Sequence, residues 1–269
     1  VALNTTGSPE ACMGIDGGDV NGDGLQDYFL TNFSEETDTL FFGEGDGFFD
    51  DNTLRSGLGK PTFDPLGFGT RLFDYDLDGD LDIYVTRGHI LDNLETLHPG
   101  TRLRYAQPDH LFQNDGKGRF TDVSGSSGSW FKKKLVGRAV ATADYDSDGD
   151  LDLFIVNSGQ ECTLLENRAE RKGGWIGIRL QGTAPCSRDA TGSLITLKAG
   201  GGVRRVELRN SQSYMAASDP RVILALDKGA AKAPPVEVRW SDGLRELFNH
   251  LQAERYHLLV RGQGEQLGE

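Results

Sequence analysis

The sequence predicts an all-β chain: a partial β-propeller of about three blades over residues 1–167, then a small β-sandwich or barrel-like domain over residues 168–269. Three observations predict it. An acidic nine-residue loop recurs three times, and each copy runs straight into a short apolar strand. A glycine-centred hairpin follows the first two copies and begins after the third. The last hundred or so residues then change texture, to short apolar runs separated by turn residues.

The loops are Asp19-Val20-Asn21-Gly22-Asp23-Gly24-Leu25-Gln26-Asp27, Asp74-Tyr75-Asp76-Leu77-Asp78-Gly79-Asp80-Leu81-Asp82 and Asp144-Tyr145-Asp146-Ser147-Asp148-Gly149-Asp150-Leu151-Asp152. Carboxylates crowded to about 4–6 Å disfavour one another's ionisation, and a cation among them reverses the sign of that interaction. Side-chain oxygens at positions 1, 3, 5 and 9 make Asp19, Asn21, Asp23, Asp27, Asp74, Asp76, Asp78, Asp82, Asp144, Asp146, Asp148 and Asp152 candidate metal ligands. The backbone carbonyls of Leu25, Asp80 and Asp150, at position 7, complete the candidate set. An all-oxygen set suits a hard divalent cation, and Ca²⁺ takes about 6–8 oxygens. The expectation is about three structural Ca²⁺ sites, one per blade. The first is the weakest, because Asn21 and Leu25 replace two aspartates. Glycine at position 6 permits the positive φ of a sharp turn.

These loops are not EF-hands, which need a bidentate Glu at position 12 and flanking helices. Position 12 is Leu30, Val85 and Ile155, inside β-type runs such as Ile83-Tyr84-Val85. The loops therefore join strand to strand.

The hairpins set the repeat. Leu40-Phe41-Phe42-Gly43-Glu44-Gly45-Asp46-Gly47-Phe48 aligns with Leu111-Phe112-Gln113-Asn114-Asp115-Gly116-Lys117-Gly118-Arg119, each followed by an aromatic-x-aspartate strand. A third start, Leu164-Leu165-Glu166-Asn167, breaks off into the charged stretch 168–174, where the domain boundary is placed. Strand, acidic loop, strand, hairpin makes a four-stranded unit, and radial stacking of such units is a propeller. An insertion at 87–107 lengthens the second unit. It holds His89 and His98, with His110 just beyond, read as packing or surface residues because no base or nucleophile accompanies them.

In the carboxy-terminal part, strands are expected at 175–180, 194–197, 203–208, 222–226, 236–240, 247–248 and 257–260, with a short helix near Ala230 or Leu251. Arg188, Asp189, Asp219 and Arg221 read as turn chemistry.

Charge is uneven. Residues 1–167 hold 12 Lys+Arg and 30 Asp+Glu, whereas residues 168–269 hold 16 and 11. The acidic part argues against nucleic acid as a partner, and the basic excess reads as scattered surface. No run approaches the about 20 apolar residues of a membrane span. Cys12, Cys162 and Cys186 have no metal-ligand spacing; one disulfide with a leftover thiol, or three buried thiols, both stay open. The chain begins at Val1, without an initiator Met or signal peptide, and reads as processed, trimmed or incomplete.

The acidic loops and hairpins resemble FG-GAP/VCBS repeats, the calcium-dressed blades also found in integrin α-chain propellers. The later part resembles the ASPIC/UnbV domain in Trp175-Ile176-Gly177-Ile178-Arg179-Leu180-Gln181-Gly182-Thr183, Ser187-Arg188-Asp189-Ala190-Thr191-Gly192, Ser213-Tyr214, Ser218-Asp219-Pro220-Arg221 and Val236-Glu237-Val238-Arg239-Trp240-Ser241-Asp242-Gly243. The combination is similar to the cartilage acidic protein family, especially its bacterial members. That resemblance implies an extracellular or periplasmic, secreted calcium-binding protein in adhesion or matrix roles, with no catalytic reaction. Partners would be other proteins or glycans at a cell surface, or copies of itself. Family members usually have more blades, so the chain reads as a carboxy-terminal half.

Two other functions compete. One is a secreted cyclase or hydrolase on a propeller scaffold, against which stands the lack of G-x-S-x-G, H-E-x-x-H and Walker motifs. The other is a subunit of an extracellular filament or sheath, since open sheet edges invite association.

Overall fold

The computed structural model describes residues 7–268. The chain is all-β, and among the described residues its helices are limited to the short α1 (Gly59–Phe63) and α2 (Leu94–Leu97) and two single 3₁₀ turns. Among the described residues five sheets form: three in the repeats, where about three blades were expected, and two in residues 174–266, where a small sandwich or barrel was expected.

The first sheet is β1 (Ile15–Gly18), β2 (Asp27–Leu30), β3 (Thr39–Gly45) and β4 (Phe48–Asp51), paired antiparallel in chain order. The second repeats it with β5 (Gly67–Phe73), β6 (Asp82–Arg87), β7 (His110–Asn114) and β8 (Phe120–Asp122). The third has β9 (Gly137–Ala143), β10 (Asp152–Asn157) and β11 (Thr163–Leu165), and stops at three strands. Each acidic loop joins the first two strands of its sheet, as expected, and the position-12 residues Leu30, Val85 and Ile155 are buried strand residues.

Burial follows from stacking. Every residue of β5 and β6 is buried, because the second sheet has a neighbour on both faces. β10 instead alternates towards its carboxy-terminal end, with Phe154 and Val156 exposed, because none of the described residues covers its outer face. One apolar core lies between the first two sheets, built from Phe29 and Leu40 against Ile83, Val85, Phe112 and Phe120. The next sets Phe73, Tyr84 and Leu111 against Val140, Leu153 and Ile155.

The last two sheets face one another across a shared core. One holds β15 (Val222–Leu226), β12 (Gly174–Gln181) and β18 (Tyr256–Val260), in that order, with the β12–β18 pair parallel. The other holds β14 (Gly202–Glu207), β13 (Leu194–Ala199), β16 (Val236–Arg239), β17 (Arg245–Phe248) and β19 (Glu265–Gln266). Ile176, Ile178 and Leu224 from the first meet Ile195, Leu197, Val236 and Val238 from the second. No helix forms near Ala230 or Leu251: Ala230 closes a turn onto Asp227, and the carbonyl of Leu251 accepts from the Ala233 N–H. The three cysteines are unpaired, and only Cys186 is buried.

Residues 209–221 leave this core and cross the first strands of the three repeat sheets in succession. Arg209 donates to the Gly17 carbonyl of β1, and Ser213 exchanges two backbone hydrogen bonds with Ile15. Ser213 Oγ accepts from the Thr70 N–H of β5, and Tyr214 meets Phe68 edge-on, 5.1 Å between ring centroids. Ser218 Oγ accepts from the Thr142 N–H of β9, and the Asp219 N–H donates to the Thr142 carbonyl. The strap satisfies innermost backbone groups that would otherwise need other partners.

Candidate metal centres at the junction

Each loop is first organised by its own backbone. Position 1 collects two N–H groups: Asp19 accepts from Gly22 and Gly24, Asp74 from Asp78 and Gly79, Asp144 from Asp148 and Gly149. Gly24, Gly79 and Gly149 have φ of 89°, 94° and 99°, as position 6 demands. Position 4 is left-handed as well, and in two loops the residue is not glycine: Leu77 at 56° and Ser147 at 62°. Leu77 is held there by burial against Trp175 and Ala225.

Position 9 turns inward. Asp27 accepts from Val20 and Gly43, Asp82 from Tyr75 and Asn114, and Asp152 from Tyr145 and Asn167. Each ties its loop to the third strand, or to the residues just after it, so these aspartates are hairpin staples.

Two groups of carboxylates converge. Ligand-type oxygens of Asp74, Asp76 and Asp78 lie within 4.8 Å of one another, as do those of Asp144, Asp146 and Asp152. Among the described residues, loop 1 forms no such group: Asn21 donates its amide to Asp23, and the Asp23 N–H donates back to Asn21. The side chains of Asp80 and Asp150 stand apart from these two groups, and Asp150 is paired with Arg171. Leu25 is exposed.

Electrostatics mark loop 2 as the most strained. Burial, then repulsion from Asp78, pushes the Asp74 carboxyl up to about 7. Burial pushes Asp82 up to about 9, opposed by the Asn114 N–H and reinforced by Asp74, Asp76 and Asp78. Asp27 and Asp150 are both raised to about 6, mainly by burial. Asp76 is buried and its Oδ1 has no hydrogen-bond partner, an uncommon condition for a carboxylate oxygen. Oxygen-only donors, mutual repulsion and an orphaned oxygen are what a hard dication would resolve, so the residues fit Ca²⁺.

Protein cations also reach these loops. Lys172 Nζ lies 2.7 Å from Asp76 Oδ2 and 2.8 Å from Asp78 Oδ2. Burial pulls its ammonium down, but these bonds outweigh that and hold it above its ordinary range. Arg171 spans Asp148 at 2.6 Å and Asp150 at 2.9 Å. Arg204 donates to the Asp78 carbonyl, and a Cβ on Gly24 would fall 2.1 Å from Arg205. Arg221 pairs with Asp219, donates to the Asp144 carbonyl and lies over the Tyr256 ring.

This corrects two expectations. The basic excess after residue 168 is not scattered surface: Arg171, Lys172, Arg204, Arg205 and Arg221 converge on the acidic loops. Asp219 and Arg221 do more than shape a turn, whereas Arg188 and Asp189 are exposed. The opposed charges of the two parts of the sequence were the signal that could have found this. The histidines lie elsewhere. His89 accepts from the Leu91 N–H and His110 from Arg87 Nε, so both are packing residues.

With this geometry in view, comparison with known proteins gives the class. Residues 19–85 and 102–155 match the family model described as FG-GAP-like repeat, and residues 182–266 match ASPIC and UnbV. The chain is thus a protein of FG-GAP-like repeats joined to an ASPIC/UnbV domain. The break between the two repeat matches falls in the insertion that carries α2. The chain is similar to cartilage acidic protein 1 of Homo sapiens, 30% identical over 144 residues, which is 54% of this chain and 19% of that protein. The match therefore spans about a fifth of the curated relative's length. No described helix is long and apolar enough to cross a membrane.

Proposed function

We propose that this chain is a non-catalytic, calcium-stabilised module that acts outside the cell or in the periplasm by binding other macromolecules. The observation that carries the calcium reading is the orphaned, buried Asp76 Oδ1 beside Asp74 and Asp78. Asp74, Asp76 and Asp78 would hold the ion in loop 2, and Asp144, Asp146 and Asp152 in loop 3. The ion's chemistry is charge neutralisation: it relieves the repulsion and burial that push Asp74 and Asp82 upward. Calcium loops of this kind suit the high calcium outside cells, which supports the extracellular or periplasmic reading. Similarity to a protein named for cartilage points the same way.

A binding role, as opposed to catalysis, is supported by how the carboxylates are used. They accept backbone N–H groups and pair with basic side chains across the junction, which is a structural use of the loop carboxylates. Calorimetric titration with CaCl₂, run on the wild type and on Asp76→Asn, tests the reading. Stoichiometric binding that weakens at least tenfold in Asp76→Asn is expected, and no calcium-dependent heat at millimolar ion would overturn it.

A further inference from the structure

Internal repetition shows that, among the described residues, the third repeat sheet lacks a strand and keeps the socket for it. In the second sheet the outermost strand, β8, pairs with β7 so that Phe120 faces Asn114 and Asp122 faces Phe112. Phe120 is buried in the core between the first and second sheets. Its N–H donates to the carbonyl of Ser56, in the turn that follows β4, and Gly57 of that turn sits so close to Phe120 that a Cβ would fall 2.8 Å from its carbonyl oxygen.

Every part of that arrangement recurs one sheet later except the strand. Asn167 stands for Asn114: its N–H goes to the position-9 aspartate of its loop and its side-chain amide to a carbonyl of the preceding loop, Tyr75 in place of Val20. The turn after β8 copies the turn after β4. Thr53 N–H bonds Asp51 as Ser124 N–H bonds Asp122, and Leu40 N–H donates to Thr53 Oγ1 as Leu111 N–H donates to Ser124 Oγ. In that register Ser127-Gly128 replaces Ser56-Gly57. Ser56 is buried, whereas Ser127 is exposed, and a Cβ on Gly128 would meet nothing within 4 Å. After Asn167 the chain leaves for the linker instead of turning back, so β11 is a sheet edge.

Where the counterpart of Phe120 would sit lies a cavity of about 720 Å³ between the second and third sheets, lined by Phe73, Tyr75, Leu111, Val123, Trp130 and Leu165 among others. Its walls are aromatic and apolar, its rim is the serine-rich turn 126–129, and one side is the unpaired strand. An extended segment is the natural occupant, because main-chain pairing supplies affinity and the alternate side chain fills the pocket.

We propose that the third sheet receives its fourth strand from a partner polypeptide: an extended segment of the pattern aromatic-x-aspartate pairs antiparallel with β11 and seats its aromatic ring in the cavity beside Leu165. The pattern is that of this chain's own outer strands, Phe49-Asp50-Asp51 and Phe120-Thr121-Asp122, which hold the same register against β3 and β7. This inference is independent of the metal reading and stands or falls without it.

The test is a fluorescein-labelled peptide copying residues 117–124, Lys-Gly-Arg-Phe-Thr-Asp-Val-Ser, titrated with the full chain and followed by anisotropy. Saturable one-to-one binding is expected. Replacing the peptide's phenylalanine by alanine should weaken it at least tenfold, and so should Leu165→Glu in the protein, whose fold is checked by circular dichroism. Hydrogen exchange at 163–166 in the wild-type chain should slow at least fivefold on saturation, a readout that does not depend on any variant. Failure to bind at millimolar peptide, equal binding of the alanine peptide, or unchanged exchange at β11 would overturn the proposal. So would peptide-insensitive dimerisation in sedimentation experiments, since the edge would then pair with a second copy.

Discussion

The hydroxyl of Tyr256 donates to Asp144 Oδ2 at 2.5 Å, which places a residue of the carboxy-terminal core on the first carboxylate of the third acidic loop. The same ring packs edge-on against Trp175 and lies under the Arg221 guanidinium. Trp175 in turn closes on Gly149, where a Cβ would fall 1.9 Å from the indole. Loop 3 is therefore a joint between two cores as well as a turn within one sheet. Tyr256→Phe keeps the ring and deletes the bond to a buried carboxylate, a loss of about 2 kcal/mol. Urea denaturation checks it. A change within about 0.5 kcal/mol, the range of ordinary surface substitutions, would mean the junction does not depend on this bond.

Lys172 gives the metal reading a second test, because its ammonium lies on two of the oxygens that calcium would use. Lys172→Met removes the competing charge. Calcium affinity at loop 2 should rise by about tenfold, equivalent to about 1.4 kcal/mol, while the calcium-free protein should melt lower than wild type. Saturating calcium at 100 times Kd adds about 2.7 kcal/mol of stability, so EDTA should lower the melting temperature of both proteins. Unchanged affinity in Lys172→Met would separate the lysine from the metal site.

Much of this was legible in the sequence, and the misses share one cause. The loops, their trailing strands and the hairpins are local patterns, set by glycine turns and alternating burial over about ten residues, and they fell where the spacing placed them. What pairs with them is non-local. Arg171 and Lys172 are two residues in a charged linker until folding lays them along loops 3 and 2. Ser213, Tyr214, Ser218 and Asp219 stood out as family-motif residues, yet only the structure shows them crossing β1, β5 and β9. The position-9 aspartates, read from the sequence as ligands, also take backbone N–H groups, a second role that charge alone does not reveal.

Between the first two sheets, Asp38 and Arg87 form an ion pair at 2.7 Å with neither side chain exposed. Asp38 also accepts from the Asn32 N–H, and burial raises its carboxyl despite the guanidinium beside it. Arg87→Met leaves that carboxylate buried without its partner, which costs about 3–5 kcal/mol. Adding Asp38→Asn to Arg87→Met removes the stranded charge, so the double variant should recover part of the loss. Equilibrium denaturation of the two single variants and the double decides this. Strict additivity would show that the two residues act apart.

His110 supplies a pH dependence whose sign can be fixed. Its ring accepts from Arg87 Nε at 3.2 Å and packs against Phe112, and burial with the nearby guanidinium holds its pKa down to about 3. An unfolded histidine titrates near about 6.5. A group whose folded pKa is depressed contributes stability that is complete above the unfolded value and is lost as pH falls towards the folded one. Its contribution should therefore be intact at pH 7.5 and fall away below about 6.5. Asp109, raised to about 6 by burial, works in the opposite sense and gains stability as pH falls from about 6 to about 4. The two effects separate in His110→Thr, since Thr39 and Thr163 hold the same register in the other sheets. Denaturation at pH 7.5 and pH 4.5 should show the wild type losing more stability on acidification than His110→Thr. The acidic loops titrate equally in both proteins and drop out of the comparison. Equal losses would mean that the folded imidazole takes up its proton as the unfolded one does, and that Arg87 tolerates a cation 3.2 Å from its Nε.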